Sequence, residues 1–147
     1  MADNHYYFSF GSNMDRGQMK ERTPNAEHVG TGYVEGYDIV FNRKGSYRLG
    51  GVSSIVPCEG VNAYGVVWSI SDGELSELDR IEDPSAYERV TKRVTLTNRE
   101  TIDCQVYVSF PQEDIAADQE YLEIIISAAQ SAGLPNHWIE RIKQYRS

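Results

Sequence analysis

Tyr6-Tyr7-Phe8-Ser9-Phe10-Gly11-Ser12-Asn13 is the stretch on which the fold turns. The aromatic run is long enough for one buried strand. The Gly-Ser-Asn turn that ends it leaves successive backbone N–H groups free to converge on an anion or a carbonyl oxygen. Outward from this point a short helix is predicted around Met14 to Glu21. It stops at Thr23-Pro24 because a residue before proline disfavours helical backbone. Tyr33-Val34, Tyr37 and Ile39-Val40-Phe41 then predict one long, bent strand, with Gly30, Gly32 and Gly36 where bulges or barrel corners fit. Arg43 to Gly51 reads as a polar loop. Val52 to Val56 and Val61 to Ile70 read as two strands separated by a turn at Pro57-Cys58-Glu59-Gly60.

Ser71-Asp72-Gly73-Glu74 has the form of a capping box, with Ser71 at the N-cap and Glu74 at N3. The helix it opens carries Leu75, Leu78 and Ile81 in one stripe and is closed by Glu82-Asp83 just before Pro84. Tyr87 to Thr97 and Thr101 to Phe110 alternate well enough for two strands joined at Asn98-Arg99-Glu100. An amphipathic helix from Asp118 to Ala132 turns Tyr121, Ile125, Ala128, Ala129 and Ala132 to one face, with Gly133 as its stop. A last helix starts near Pro135. Without repeats, low-complexity tracts or linkers, residues 1-147 read as a single α+β domain.

Composition removes several classes of function. Fourteen basic against twenty-two acidic residues give a formal charge of −8, with no Lys/Arg cluster, so a nucleic-acid backbone is a poor partner. No apolar run approaches the ~18 residues a membrane span needs. Cys58 and Cys104 form no C-x-x-C pair, and Met-Ala-Asp-Asn-His lacks the apolar core of a signal peptide, which together point to a cytoplasmic protein. His5, His28 and His137 share no ligand spacing, so no metal site is expected. Ser12 lacks the G-x-S-x-G elbow and a partnered His expected of a nucleophile.

Glu82 stands out among the acids. A carboxylate at a helix C-terminus opposes the macrodipole by roughly 0.3–1 kcal/mol, which suggests a use other than helix stability. On pattern alone it also fits a solvated residue at a helix end. A loop of donors together with a misplaced carboxylate suggests chemistry on an acyl group.

Phe8-Ser9-Phe10-Gly11-Ser12-Asn13-Met14 resembles the Tyr-Gly-Ser-Asn-Leu strand-loop signature of the γ-glutamylcyclotransferase (AIG2-like) family, and Leu78-Asp79-Arg80-Ile81-Glu82 resembles the segment carrying its catalytic glutamate. Gly50-Gly51-Val52-Ser53-Ser54-Ile55 and Tyr64-Gly65-Val66-Val67-Trp68 look like its central strands. Tyr121 through Ala132-Gly133-Leu134-Pro135 is similar to its C-terminal helix and turn. In this order and spacing the resemblance covers nearly the whole chain.

The resemblance implies a small mixed β-barrel with flanking helices, needing no cofactor, that cyclises a small-molecule γ-glutamyl substrate to 5-oxoproline with release of an amine or amino acid. In this reading Glu82 is the general acid–base, and Phe10, Gly11, Ser12, Asn13, Met14, Tyr87, Tyr107 and Tyr121 line the substrate pocket. With ten tyrosines in the chain, a core-filling role is the alternative for each of the three. A homodimer is compatible with the sequence. Two departures from the family pattern bear on the leaving amine: Phe10 stands in place of Tyr, and Asp83-Pro84-Ser85-Ala86 replaces a Gly-Val start and a connection two residues longer. Relatives act on γ-glutamyl amino acids, γ-glutamyl-lysine isopeptides, glutathione or a γ-glutamyl cap in antibiotic biosynthesis. Cap removal, or a catalytically silent binding or regulatory module of the same fold, are the alternative functions.

Overall fold

The computed structural model describes residues 4–44, 51–82, 87–109 and 116–147. Five strands, β1 (Asn4–Ser9), β2 (Glu27–Lys44), β3 (Gly51–Ser71), β4 (Tyr87–Leu96) and β5 (Thr101–Ser109), close into a barrel in the order β1-β3-β2-β4-β5. Every pairing is antiparallel except β1 with β5, where Tyr7 faces Gln105, so the barrel is mixed. Four helices flank it: α1 (Arg16–Arg22), α2 (Asp72–Ile81), α3 (Gln119–Ala132) and α4 (Asn136–Lys143).

β1 is buried on consecutive residues, Tyr7, Phe8 and Ser9, as are Val66, Val67 and Trp68 on its partner β3. Strands covered on both faces lose the alternation of a half-exposed sheet, and this is why the opening aromatic run reads as one apolar block. Phe8, Ile39, Ile55, Leu78, Leu122 and Trp138 form part of one continuous core. Arg141 ties α4 to β2 through a two-pronged contact with Asp38, at 2.8 and 2.7 Å.

Two expectations are corrected along β2 and β3. The turn at Pro57 to Gly60 does not divide two strands, because β3 runs unbroken from Gly51 to Ser71 against β2. Both strands bulge in concert: Glu35 faces Asn62 and Tyr37 faces Pro57, so residues 58–61 stand opposite Gly36. Gly36 and Gly60, at φ +78° and +84°, supply the left-handed backbone this excursion requires, and the ladder then resumes. Arg43 and Lys44, expected in a loop, extend β2 and pair with Val52 and Gly51. The rest of that loop, residues 45–50, lies outside the described residues, as do Phe110 and the segment 83–86.

Helix ends follow side-chain chemistry. Ser71 caps α2 by accepting the Glu74 N–H, but the reciprocal half of the capping box is not made: Glu74 Oε2 accepts the Asn25 N–H at 3.0 Å instead. Asp118 caps α3 and Gly133 ends it at φ +74°. Asp15, not singled out in the sequence, caps α1 by accepting the Gln18 N–H at 2.9 Å. That cap sets the orientation of a helix on which Gln18 and Arg22 share one face, four residues apart.

Candidate active site

Ser12–Met14 form a single 3-10 turn directly after β1, bounded by Met14 N–H to Gly11 O and Asp15 N–H to Ser12 O, both at 3.0 Å. The N–H groups of Ser12 and Asn13 precede the first of these bonds, and that of Ser12 donates to the Tyr121 hydroxyl. Tyr121, from α3, also bonds Ser53 Oγ of β3 at 2.8 Å. A Cβ on Gly11 would lie 2.6 Å from Ser53 Oγ and 2.9 Å from Tyr121 Oη, so that buried pair leaves room only for glycine.

The side chain of Asn13 is buried and fully used. Its Nδ2 donates to Tyr7 Oη at 2.8 Å and to Glu82 Oε1 at 3.2 Å; its Oδ1 accepts from Gln18 Nε2 at 2.8 Å and Arg22 Nη1 at 2.9 Å. Glu82 sits at the C-cap of α2, its N–H bonded to Leu78 O at 2.8 Å. Arg22 Nη1 is 3.8 Å from Glu82 Oε1, and the Glu82 side chain retains 20% exposure. Burial pushes the Glu82 carboxyl above its ordinary range, while Arg22 and the Asn13 hydrogen bond pull it back without cancelling the rise. The Glu82 charge is felt at both the Tyr7 and Tyr121 phenols, which burial already holds in their neutral forms.

The other residues singled out in the sequence fall at varying distance from this cluster. Tyr107 stacks edge-on against Tyr7 at 5.7 Å, but its hydroxyl donates to Asp79 Oδ1 at 2.6 Å. Phe10 packs against Phe8 and, like Met14, is part of the core. Tyr87 is half-buried at the start of β4. Tyr7, Gln18, Arg22 and Ser53 belong to the cluster without having been singled out. Gln18 and Arg22 were legible in principle, since an i, i+4 polar pair after a Gly-Ser-Asn turn faces back toward it.

A separate recess of about 330 Å³ is lined by residues that include Tyr6, Val29, Thr31, Leu96 and Glu100, and shares none with the Glu82 cluster. Among the described residues no group of three His, Cys, Asp or Glu is placed to hold a metal ion, and no helix is long and apolar enough to cross a membrane.

The small mixed barrel holds the buried Glu82 carboxylate against the donor-rich Gly11–Asn13 turn. The sequence profile described as "Gamma-glutamyl cyclotransferase, AIG2-like" matches residues 7–125, and the chain belongs to that family. It is 27% identical over 143 residues to the gamma-glutamylcyclotransferase of Mus musculus, covering 93% of this chain and 76% of that protein. The gamma-glutamylcyclotransferase of Homo sapiens is likewise 27% identical over 143 residues, with the same coverage of both chains. A solved structure of a gamma-glutamyl cyclotransferase superposes with a TM-score of 0.91 at 24% identity, over 96% of this chain and 87% of that one, and shares the fold.

Proposed function

We propose that this protein is a γ-glutamylcyclotransferase in which Glu82 is the general acid–base. The α-amine of a γ-glutamyl group attacks its own γ-carbonyl carbon. The new C–N bond closes 5-oxoproline, and the bond to the acylated amine breaks. Starting from the ammonium, the attacking nitrogen loses two protons in turn to Glu82, which passes them to the leaving nitrogen as it departs as an ammonium, so no proton is gained or lost. Five-membered ring closure has an effective molarity of up to ~10⁵–10⁸ M when the reacting groups are well oriented, so the protein has chiefly to fold the substrate and manage protons.

The observation that carries this reading is the environment of Glu82. An ordinary glutamate near 4.3 facing an α-ammonium near 8 is mismatched by roughly 5 kcal/mol at 1.36 per pKa unit, and burial moves Glu82 in the direction that narrows the gap. The N–H groups at Gly11, Ser12 and Asn13 are read as the anchor for the substrate carboxylate or the developing oxyanion, that of Ser12 on exchanging the Tyr121 hydroxyl for the ligand. Tyr87, Tyr107, Tyr121, Met14 and Phe10 are read as the walls, with Phe10 and residues 83–86 setting preference among leaving amines. The enzyme is further proposed to act as a single cytoplasmic domain, alone or as a homodimer, on a small molecule; a charge of −8 and two unpaired cysteines support that setting.

The test is a series of γ-glutamyl amino acids and amines assayed beside their N-acetyl counterparts. We expect 5-oxoproline from the free-amine series at rates graded by leaving group, and none from the acetylated series. Amine release from an N-acetyl substrate indicates hydrolysis and overturns cyclisation. Tight binding without 5-oxoproline indicates a silent module.

A further inference from the structure

We propose that Arg22 is a positioning residue for Glu82, acting through the side-chain amide of Asn13. This rests on Glu82 being the acid–base group. A primary amide offers two donors and one carbonyl acceptor, and all are engaged at Asn13: Tyr7 and Glu82 on the nitrogen, Gln18 and Arg22 on the oxygen. The orientation is therefore dictated from the α1 side. Turned over, the amide would set its NH2 against two other donors and its carbonyl against a carboxylate.

Held this way, Asn13 occupies Glu82 Oε1, and among the described residues nothing bonds Oε2. Oε2 is thus the oxygen left to exchange protons with substrate. Arg22 does two things at once: it pins Asn13 at 2.9 Å, and it places a positive charge 3.8 Å from Oε1. That charge opposes the rise that burial imposes on the Glu82 carboxyl. Gln18 shares the first task only, because it is neutral; its Nε2 also donates to Ser12 Oγ at 2.8 Å. Among the described residues, the ionisable groups facing Glu82 are Arg22 of α1, Tyr7 of β1 and Tyr121 of α3. Asp79 of α2, Arg89 of β4 and Tyr107 of β5 engage one another instead.

The experiment compares Arg22→Met, Arg22→Lys and Gln18→Met with the parent protein by the pH profile of kcat/KM, and titrates the 13C-labelled Glu82 carboxyl in the free enzyme. Arg22→Met is expected to lower kcat/KM by at least ~10-fold, short of the ~10²–10⁴-fold of a general acid–base group, and to move the acidic limb and the Glu82 titration to higher pH. Arg22→Lys should return the limb toward its original position, since the charge is back, without restoring kcat, because an ammonium lacks the planar fork. Gln18→Met should lower kcat and leave the limb in place. If Arg22→Met does not fold, Arg22→Lys and Arg22→Gln read the same limb. An unmoved limb and an unmoved Glu82 titration overturn the role of Arg22. So does a rise in KM alone, which would place Arg22 on the substrate. Activity in Glu82→Gln is a different outcome, and it removes the reading of Glu82 itself.

Discussion

Asp79 on α2 and Glu82 at its C-cap lie three residues apart, and each keeps company with a tyrosine and an arginine, yet the two carboxylates are held in different ways. Asp79 Oδ1 accepts the Tyr107 hydroxyl at 2.6 Å and lies 3.1 Å from Arg89 Nε. That is a closed arrangement that fastens α2 to the β4-β5 hairpin. Glu82 meets its arginine only at 3.8 Å, with the Asn13 amide bonded to both, and among the described residues nothing bonds its second oxygen. A directly paired carboxylate is committed to its fold. The one held through a neutral amide is the one we propose for proton transfer.

The sharpest way to break this comparison is Glu82→Gln. It should fold and bind substrate while losing turnover by ~10²–10⁴-fold. Wild-type-like kcat would make the two carboxylates equivalent after all. Gly11→Val comes next: its branched side chain would drive into the Ser53–Tyr121 pair and shift the turn that carries Asn13. A loss in kcat/KM far exceeding that of Ser12→Ala is expected, and the reverse ranking would give the Ser12 hydroxyl a direct role.

Asp79→Ala should do the opposite of Glu82→Gln. Stripping the acceptor from the Tyr107 hydroxyl should cost about 1–3 kcal/mol of stability, read from urea midpoints, while kcat falls less than ~10-fold. An equally large catalytic loss would show that Asp79 takes part in the reaction.

The smallest expected effect is in the pH dependence of stability. Because burial raises the Glu82 carboxyl in the folded state, its contribution is fully present below the unfolded value, near ~4.3, and is lost as pH rises through the raised folded value. Glu82→Gln cannot ionise, so its urea midpoint should gain on the parent protein between pH 4 and 7. A constant difference across that range would mean that burial does not govern this group.

The α+β make-up, the Gly-Ser-Asn turn, the cap at Ser71, the start of a helix at Asp118, the Gly133 stop and the prominence of Glu82 were all legible in the sequence, while the barrel came only with the family resemblance. Each is written in a local pattern: an apolar block, a capping residue, an acid at the wrong end of a helix. The unbroken course of β3 was not legible, because Pro57 to Gly60 has the composition of a turn and only the matching excursion at Gly36 carries the ladder past it. Nor was the difference between Asp79 and Glu82, whose neighbours come from elsewhere in the chain. Asn13 and Glu82 are 69 residues apart, and Tyr107 and Asp79 are 28 apart. The sequence by itself determined most of the elements and which carboxylate to suspect, since backbone preference and hydrophobic periodicity act over a few residues. Which amide bonds that carboxylate, and which arginine lies beside it, was decided only when barrel closure brought β1, α1 and the end of α2 together, because a buried polar group takes its properties from the partners that desolvate it.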